Sequence, residues 1–133
     1  MLNRVELQGR IGADLVVRSP PAGKPVISFP LAVDRDFRDK DGTRPTDWFT
    51  VVAWSGLAEH IGECFSKGDM IILSGRLQSR VWTNSEGQNI KFVEVIAENA
   101  YFAGGQRSGG QLGEEAFVKP EEEFVKEDEW DGL

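Results

Sequence analysis

Along most of residues 2–102 apolar and polar positions alternate with a period of two, and one stretch departs to a helical period. From Leu2 to Ile11, Val5, Leu7 and the small Gly9 fall on one face and Arg4, Glu6 and Gln8 on the other, the pattern of a half-buried strand. Pro20-Pro21-Ala22-Gly23-Lys24-Pro25 is a turn cluster. Val26 to Val33 alternates Ile27, Phe29, Leu31 and Val33 against Ser28, Pro30 and Ala32. Proline has no N–H for a ladder, so Pro30 is expected at a sheet edge or a bulge. Asp34 to Thr46 is charged and polar and predicts a long flexible loop; Asp47 to Trp54 predicts a third strand. Ser55 is the expected N-cap of a short helix in which Leu57, Ile61, Cys64 and Phe65 recur at helical spacing. Lys67-Gly68 is expected to close it, a basic residue and then a glycine at the negative end of the dipole. Met70 to Leu77, apolar on both faces at its start, predicts a strand covered on both sides. The turn signal Thr83 to Gln88 separates Arg80-Val81-Trp82 from a final strand, Ile90 to Phe102.

This order, with one short helix between strands 3 and 4, predicts an all-β fold, the five-stranded Greek-key barrel of the OB-fold. Beyond Phe102 the composition changes. Residues 1–103 are expected to form the domain, 104–113 a Gly-rich linker, and 114–133 an acidic tail that stays disordered until it meets a partner. A chain of 133 residues has room for one ordinary domain.

Charge modifies this picture in one respect. The net charge of −7 is the opposite of the basic balance that marks most nucleic-acid binders. Residues 1–103 carry 12 Lys/Arg against 13 Asp/Glu, whereas residues 104–133 carry 3 against 9. The domain is therefore near neutral, and only local clusters of its cations can attract phosphate. No apolar run is long enough for a membrane span and the first residues lack a secretion-type apolar segment, so a cytoplasmic location is expected, without membrane partners. A single cysteine, Cys64, excludes an internal disulfide and a cysteine-built zinc site.

The aromatic residues carry the most chemistry. Phe37 lies in the long loop among Arg35, Arg38 and Lys40; Trp48 opens the third strand beside Thr46 and Asp47; Trp54 ends it; Trp82 follows Arg80. Unpaired bases expose π-faces, and stacking them on aromatic rings is worth about 1–3 kcal/mol per base. Nearby Arg and Lys neutralise phosphate, and Arg also stacks. The competing expectation is burial: large aromatics in strands usually belong to the core, which applies more to Trp48 and Trp54 than to Phe37 and Trp82.

Several separated stretches resemble the bacterial-type single-stranded DNA-binding protein family. They are Leu2-Asn3-Arg4-Val5 with Gly9-Arg10-Ile11; Phe29 to Val33; Asp47-Trp48-Phe49-Thr50-Val51-Val52 with Leu57-Ala58-Glu59; Lys67-Gly68; Gly75-Arg76-Leu77-Gln78-Ser79-Arg80-Val81-Trp82; and Gly87 with Val93-Glu94-Val95. Their order and spacing cover about three quarters of the chain. The resemblance implies an OB-fold that binds single-stranded DNA without strong sequence preference in replication, recombination and repair, needs no cofactor or metal, performs no catalysis and associates with the nucleoid. It implies stacking at Phe37, Trp48, Trp54 and Trp82, and phosphate contacts at Arg4, Arg18, Arg38, Lys40, Lys67 and Arg80. Thr50, Gly56, Ser66, Gln78 and Val81 stand where other members often carry Lys or Arg, so fewer phosphate contacts and a shallower salt dependence are expected. A homotetramer is expected, with a dimer as the alternative, because Glu6 and Gln8 are more polar, and Met70 and Ile72 more apolar, than the subunit surface of some relatives. The tail resembles the family's acidic C-terminus, which docks replication and repair proteins through an apolar tip. Here the tip reads Glu129-Trp130-Asp131-Gly132-Leu133 rather than Pro-Phe, which makes Trp130, Asp131 and Leu133 the expected partner contacts.

Two rival readings use the same residues. Asp34, Asp36, Asp39 and Asp41 in one loop suggest a metal-dependent nuclease, but Arg35, Arg38, Lys40 and Arg44 interleave with them, the pattern of a solvated, salt-bridged loop. His60 has no nucleophile or ligand partner in sequence, and Cys64 shares the helix's apolar stripe and reads as a small core residue. The other rival is an OB-fold paralogue acting mainly as a protein-interaction component of a primosome, which the lost basic positions favour and the four retained aromatics disfavour. RNA or oligosaccharide binding uses the same fold.

Overall fold

The computed structural model describes residues 1–103; the linker 104–113 and the tail 114–133, with Trp130, Asp131 and Leu133, lie outside the described residues. Five strands and one helix follow in chain order: β1 (Val5–Ile11), β2 (Val26–Asp34), β3 (Thr46–Trp54), α1 (Ser55–Cys64), β4 (Met70–Thr83) and β5 (Asn89–Phe102). The strands close into a barrel in the order β1-β2-β3-β5-β4. Neighbours are antiparallel except β3 and β5, which run parallel through Val51↔Val95 and Val52↔Ile96. This is the five-stranded OB-fold with its helix between β3 and β4, as the sequence pattern predicts.

The period-two pattern decides which side chains fill the barrel. Ile11, Ile27, Phe29, Leu31, Val51, Ala53, Ile71, Leu73 and Val95 are buried on the inner face, and Ala58, Ile61 and Phe65 join them from α1 and its end. Each Val, Leu, Ile or Phe among them contributes about 1.5–3 kcal/mol when fully buried. Pro30 sits where its missing donor does little harm. β1 pairs with β2 only at Arg10↔Ala32 and Ile11↔Leu31, and next to that short ladder the Gly12 N–H donates to the Pro30 carbonyl at 3.0 Å.

The helix ends differ from the expectation. Ser55 does not cap α1 with its side chain; Trp54 holds the N-cap position, and no side-chain hydrogen bond caps the helix. Instead Ser55 has φ of 59°, a left-handed conformation, and its N–H donates to the Pro25 carbonyl at 2.8 Å. The chain must turn sharply from strand to helix between two anchored neighbours, and this local bend overrides the capping preference. Lys67-Gly68 does not close the helix either. Phe65 is its C-cap, and Gly68, with φ of 93°, lies in the following turn, where the Asp69 N–H donates to the Ser66 carbonyl and the Ser66 N–H to an Asp69 carboxylate oxygen. The positive φ that glycine supplies is used one turn later than expected.

β4 and β5 are longer than the barrel is tall. They pair from Ile71↔Phe102 to Thr83↔Asn89, with a bulge between Ser74 and Gly75. At the bulge the register moves from Ser74↔Asn99 to Gly75↔Ala97, so Glu98 is the residue that the pairing skips. Gly75 is required here by close approach, because a Cβ at this position would run into the Ile96 carbonyl.

Candidate functional site

Residues directly opposite in a ladder share a face, so the registers define what the outer wall of the barrel presents. Val26 pairs with Trp54, and Arg18 bridges Val26, which gives the row Arg18, Val26, Trp54. Ala32 pairs with Trp48, and Pro30 with Thr50. Ser28, Val52, Ile96 and Arg76 form a further row across β2, β3, β5 and β4. One step beyond Val5↔Gly75 this row reaches Arg4, in a register fixed by the paired hydrogen bonds of the Asn3 side chain with the Leu77 backbone at 2.8 and 3.0 Å. On the β4–β5 hairpin the same face continues as Gln78 with Glu94, Arg80 with Phe92, and Trp82 with Ile90.

Three tryptophans expected from sequence thus stand on one outer face, supplied by two different ladders. None is sealed in the core. Trp54 is 49% exposed, and Trp48 and Trp82 are half-buried. Beneath and between them lies a second apolar layer that is separate from the barrel interior: Pro30, Ala32, Val52, Ile90, Phe92 and Ile96 are all buried yet belong to the outer rows. Ala32 stands opposite Trp48 and Ile90 opposite Trp82, whose own rings remain partly open.

Phe37 projects from the β2–β3 loop and is 50% exposed, with the Arg35 guanidinium 6.0 Å from its ring centroid. Arg35 also grips Asp47 by two hydrogen bonds, Nε to Oδ2 at 3.0 Å and Nη2 to Oδ1 at 2.8 Å. The Arg35 N–H donates to the Pro45 carbonyl, and the Thr46 hydroxyl to Asp34. These contacts clamp the loop's base next to Trp48. The hydrogen bond from Arg35 holds the Asp47 carboxyl below the usual carboxylate range, and the Asp47 partner raises the Arg35 guanidinium above its ordinary value. Within the loop, Arg38 donates to the Gly42 carbonyl at 2.9 Å. The Thr43 hydroxyl and N–H donate to Asp41 and lower its pKa. Asp34 and Asp41 therefore serve loop geometry.

The other expected cations fall in different places. Arg18 ends the row of Trp54 with Val26 between them, Arg4 lies at the rim with Glu6 at 3.5 Å, and Arg38 and Lys40 are exposed on the loop that carries Phe37. Lys67 is exposed in the turn after α1 and stands on none of the rows described. Arg80 stands on the aromatic face, but its charge is engaged. Its Nη1 lies 3.3 Å from Glu94 Oε1 and its Cζ 5.1 Å from the centre of the Phe92 ring. Three residues of this face were not singled out from sequence: Arg76, Phe92 and Glu94. Arg76 donates to the Gln78 amide oxygen at 3.1 Å and lies 3.6 Å from Glu98. The alternation Arg76, Gln78, Arg80, Trp82 was the available signal for it. On α1, exposed His60 has Nδ1 3.6 Å from Cys64 Sγ, and Cys64 is packed partly against the core.

The outer wall thus carries half-open indoles together with guanidinium groups, stacking faces and positive charge on one surface. Residues 2–103 match the Single-strand binding protein family. The chain belongs to that family. Among its members, the single-stranded DNA-binding protein A of Bacillus subtilis is 40% identical over 115 residues, 83% of this chain and 67% of the relative. The single-stranded DNA-binding protein of Caldanaerobacter subterraneus is 36% identical over 133 residues, the whole of this chain and 85% of the relative. That of Streptococcus pneumoniae is 39% identical over 99 residues, 74% of this chain and 64% of the relative, so this chain spans a little under two thirds of it. A solved Plasmodium falciparum SSB complex with ssDNA superposes with a TM-score of 0.67 at 26% identity, covering 78% of this chain and 96% of that one.

Proposed function

We propose that the chain binds single-stranded DNA without strong sequence preference, stacking bases on Phe37, Trp48, Trp54 and Trp82. The observation that carries this reading is the placement of three tryptophans on one outer face, none of them in the barrel core, with Arg18 in the row of Trp54 and Arg4 and Arg76 in a neighbouring row of the same wall. Arg4, Arg18, Arg38, Lys40 and Lys67 supply phosphate contacts; Arg80 lies on the same face with its charge engaged by Glu94. Each base offers a π-face, which is why stacking tolerates sequence. The action is binding without turnover, in replication, recombination and repair, in the cytoplasm and at the nucleoid.

The assembly belongs to the same proposal. Gln8, Ile72 and Tyr101 form a row on the wall of β1, β4 and β5, with Glu6, Ser74 and Asn99 beside it. We assign this mixed polar and apolar face to the homotetramer, and the acidic tail, through Trp130, Asp131 and Leu133, to the recruitment of replication and repair proteins. Titration of intrinsic tryptophan fluorescence with single- and double-stranded oligonucleotides of equal length tests the central claim. Quenching and tight binding by the single strand alone are expected, and equal affinity for the duplex overturns it.

A further inference from the structure

Glu94 is an anomaly on a surface that receives a polyanion. It stands between the Trp48–Trp54 strand and the Trp82 strand, in line with Gln78 of β4, and its side chain is only 5% exposed. A carboxylate taken out of water needs a partner, since a buried unpaired charge is strongly destabilising. Arg80 provides one from the diagonal cross-strand position, Nη1 to Oε1 at 3.3 Å, while its guanidinium lies over the Phe92 ring and its side chain stays 45% exposed.

Resting on the single-stranded DNA reading above, we infer that Glu94 is a positioning residue that withholds Arg80 from phosphate and presents it as a stacking surface. The geometry separates two properties of arginine that usually act together. Its charge is spent on Glu94 from one edge and its rear face is covered by Phe92, so what remains open is the outer face of a planar π-system beside Trp82. An arginine plane accepts an unpaired base much as an aromatic ring does. A lysine in the same place has no such plane and would act only as a point charge. Glu94 thereby extends the platform by one flat group and removes one cation from the electrostatic attraction.

The salt dependence of binding by the full chain to a poly-dT oligomer tests this, because each phosphate contact on single strands adds about 0.7 to the slope of log K against log salt. Glu94→Gln keeps the shape and releases the guanidinium charge. Its slope is expected to steepen by about 0.7, so that affinity falls roughly 2- to 3-fold more than wild type between 50 and 200 mM salt. Arg80→Gln in the wild-type background is expected to weaken binding at every salt concentration with the slope unchanged. In the Glu94→Gln background it is expected to return the slope to the wild-type value. A role of Glu94 in fold stability alone would weaken binding without changing any slope. If the double variant, which leaves no buried charge unpaired, has a flatter slope than wild type, Arg80 is already a phosphate anchor and the inference is overturned; this arm decides even if either single variant fails to fold. An unchanged or shallower slope for folded Glu94→Gln overturns it equally. If the wild type does not bind poly-dT, the function proposed above fails first, an outcome distinct from both.

Discussion

The barrel has two apolar layers, and they are built on different terms. The inner one is almost wholly aliphatic: Ile11, Ile27, Leu31, Val51, Ile71, Leu73 and Val95 close on one another, with Phe29 and Phe65 the only rings. The outer one sets buried residues, Pro30, Ala32, Val52 and Ile96, on the same wall as tryptophans that stay partly in water. Aliphatic side chains have value only when covered, whereas an indole half-open to solvent retains a face for a later partner. The contrast shows how the same period-two pattern can encode a core on one parity and a docking surface on the other.

The sharpest way to break this contrast is to truncate one residue from each layer. Leu73→Ala is expected to lower unfolding free energy by about 2–5 kcal/mol in urea or thermal melts, with the remaining folded molecules binding single-stranded DNA normally. Trp54→Ala is expected to do the reverse, losing about 1–3 kcal/mol of binding in fluorescence titration while its melting curve moves little. A Trp54 variant that unfolds, or a Leu73 variant that binds weakly though folded, would erase the division between the layers.

Smaller effects sharpen it at the seam. Ser55 carries the left-handed turn that joins Trp54 to α1. Replacing it with glycine should raise stability by about 0.5–1 kcal/mol, the order of such strain relief, with DNA affinity unchanged or reduced as Trp54 loosens. The smallest expected change is at Asp47 of β3, which Arg35 ties to the base of the loop that carries Phe37. Its carboxyl has a depressed pKa in the folded state through the Arg35 hydrogen bond, so its contribution is present above the ordinary carboxylate pKa and is lost as pH falls through the folded value. Asp47→Asn should therefore reduce the difference in wild-type stability between neutral pH and about pH 3, as read by urea melts at each pH; an identical pH dependence in the variant would remove the clamp from the account.

Much of this was legible in the sequence because alternation is unambiguous where one parity is purely apolar. Ile27-Phe29-Leu31 identifies the inner face of β2, and the Thr83–Gln88 signal places the hairpin turn. The four stacking candidates were visible as aromatics beside polar neighbours. β5 was harder. Phe92, Glu94 and Ile96 share one parity, and Lys91, Val93 and Val95 the other. Each set mixes charged with apolar residues, so periodicity cannot tell which side Glu94 faces; only the pairing with β4 does. The helix ends were misread because Ser55 and Lys67-Gly68 have the composition of caps, yet tertiary anchors, the Pro25 carbonyl and the Asp69 side chain, determine the backbone there. The opposition of Arg80 and Glu94 joins residues 14 positions apart and depends on a ladder register that no local pattern specifies.

The single skipped residue at the Ser74/Gly75 bulge has an evolutionary corollary. It resets the phase between two cassettes of β5: below it Ala100 faces inward with Ile71 and Leu73 of β4, and above it Val95 and Ala97 do, so that Glu94 and Ile96 share the outer wall with Arg76 and Arg80, which the unbroken alternation of β4 already places there. Lengthening the hairpin by whole cross-strand pairs would leave the lower cassette undisturbed, so the reach of the overhang is free to vary among descendants. Deleting Glu98 alone would rotate one cassette against the other by half a strand period.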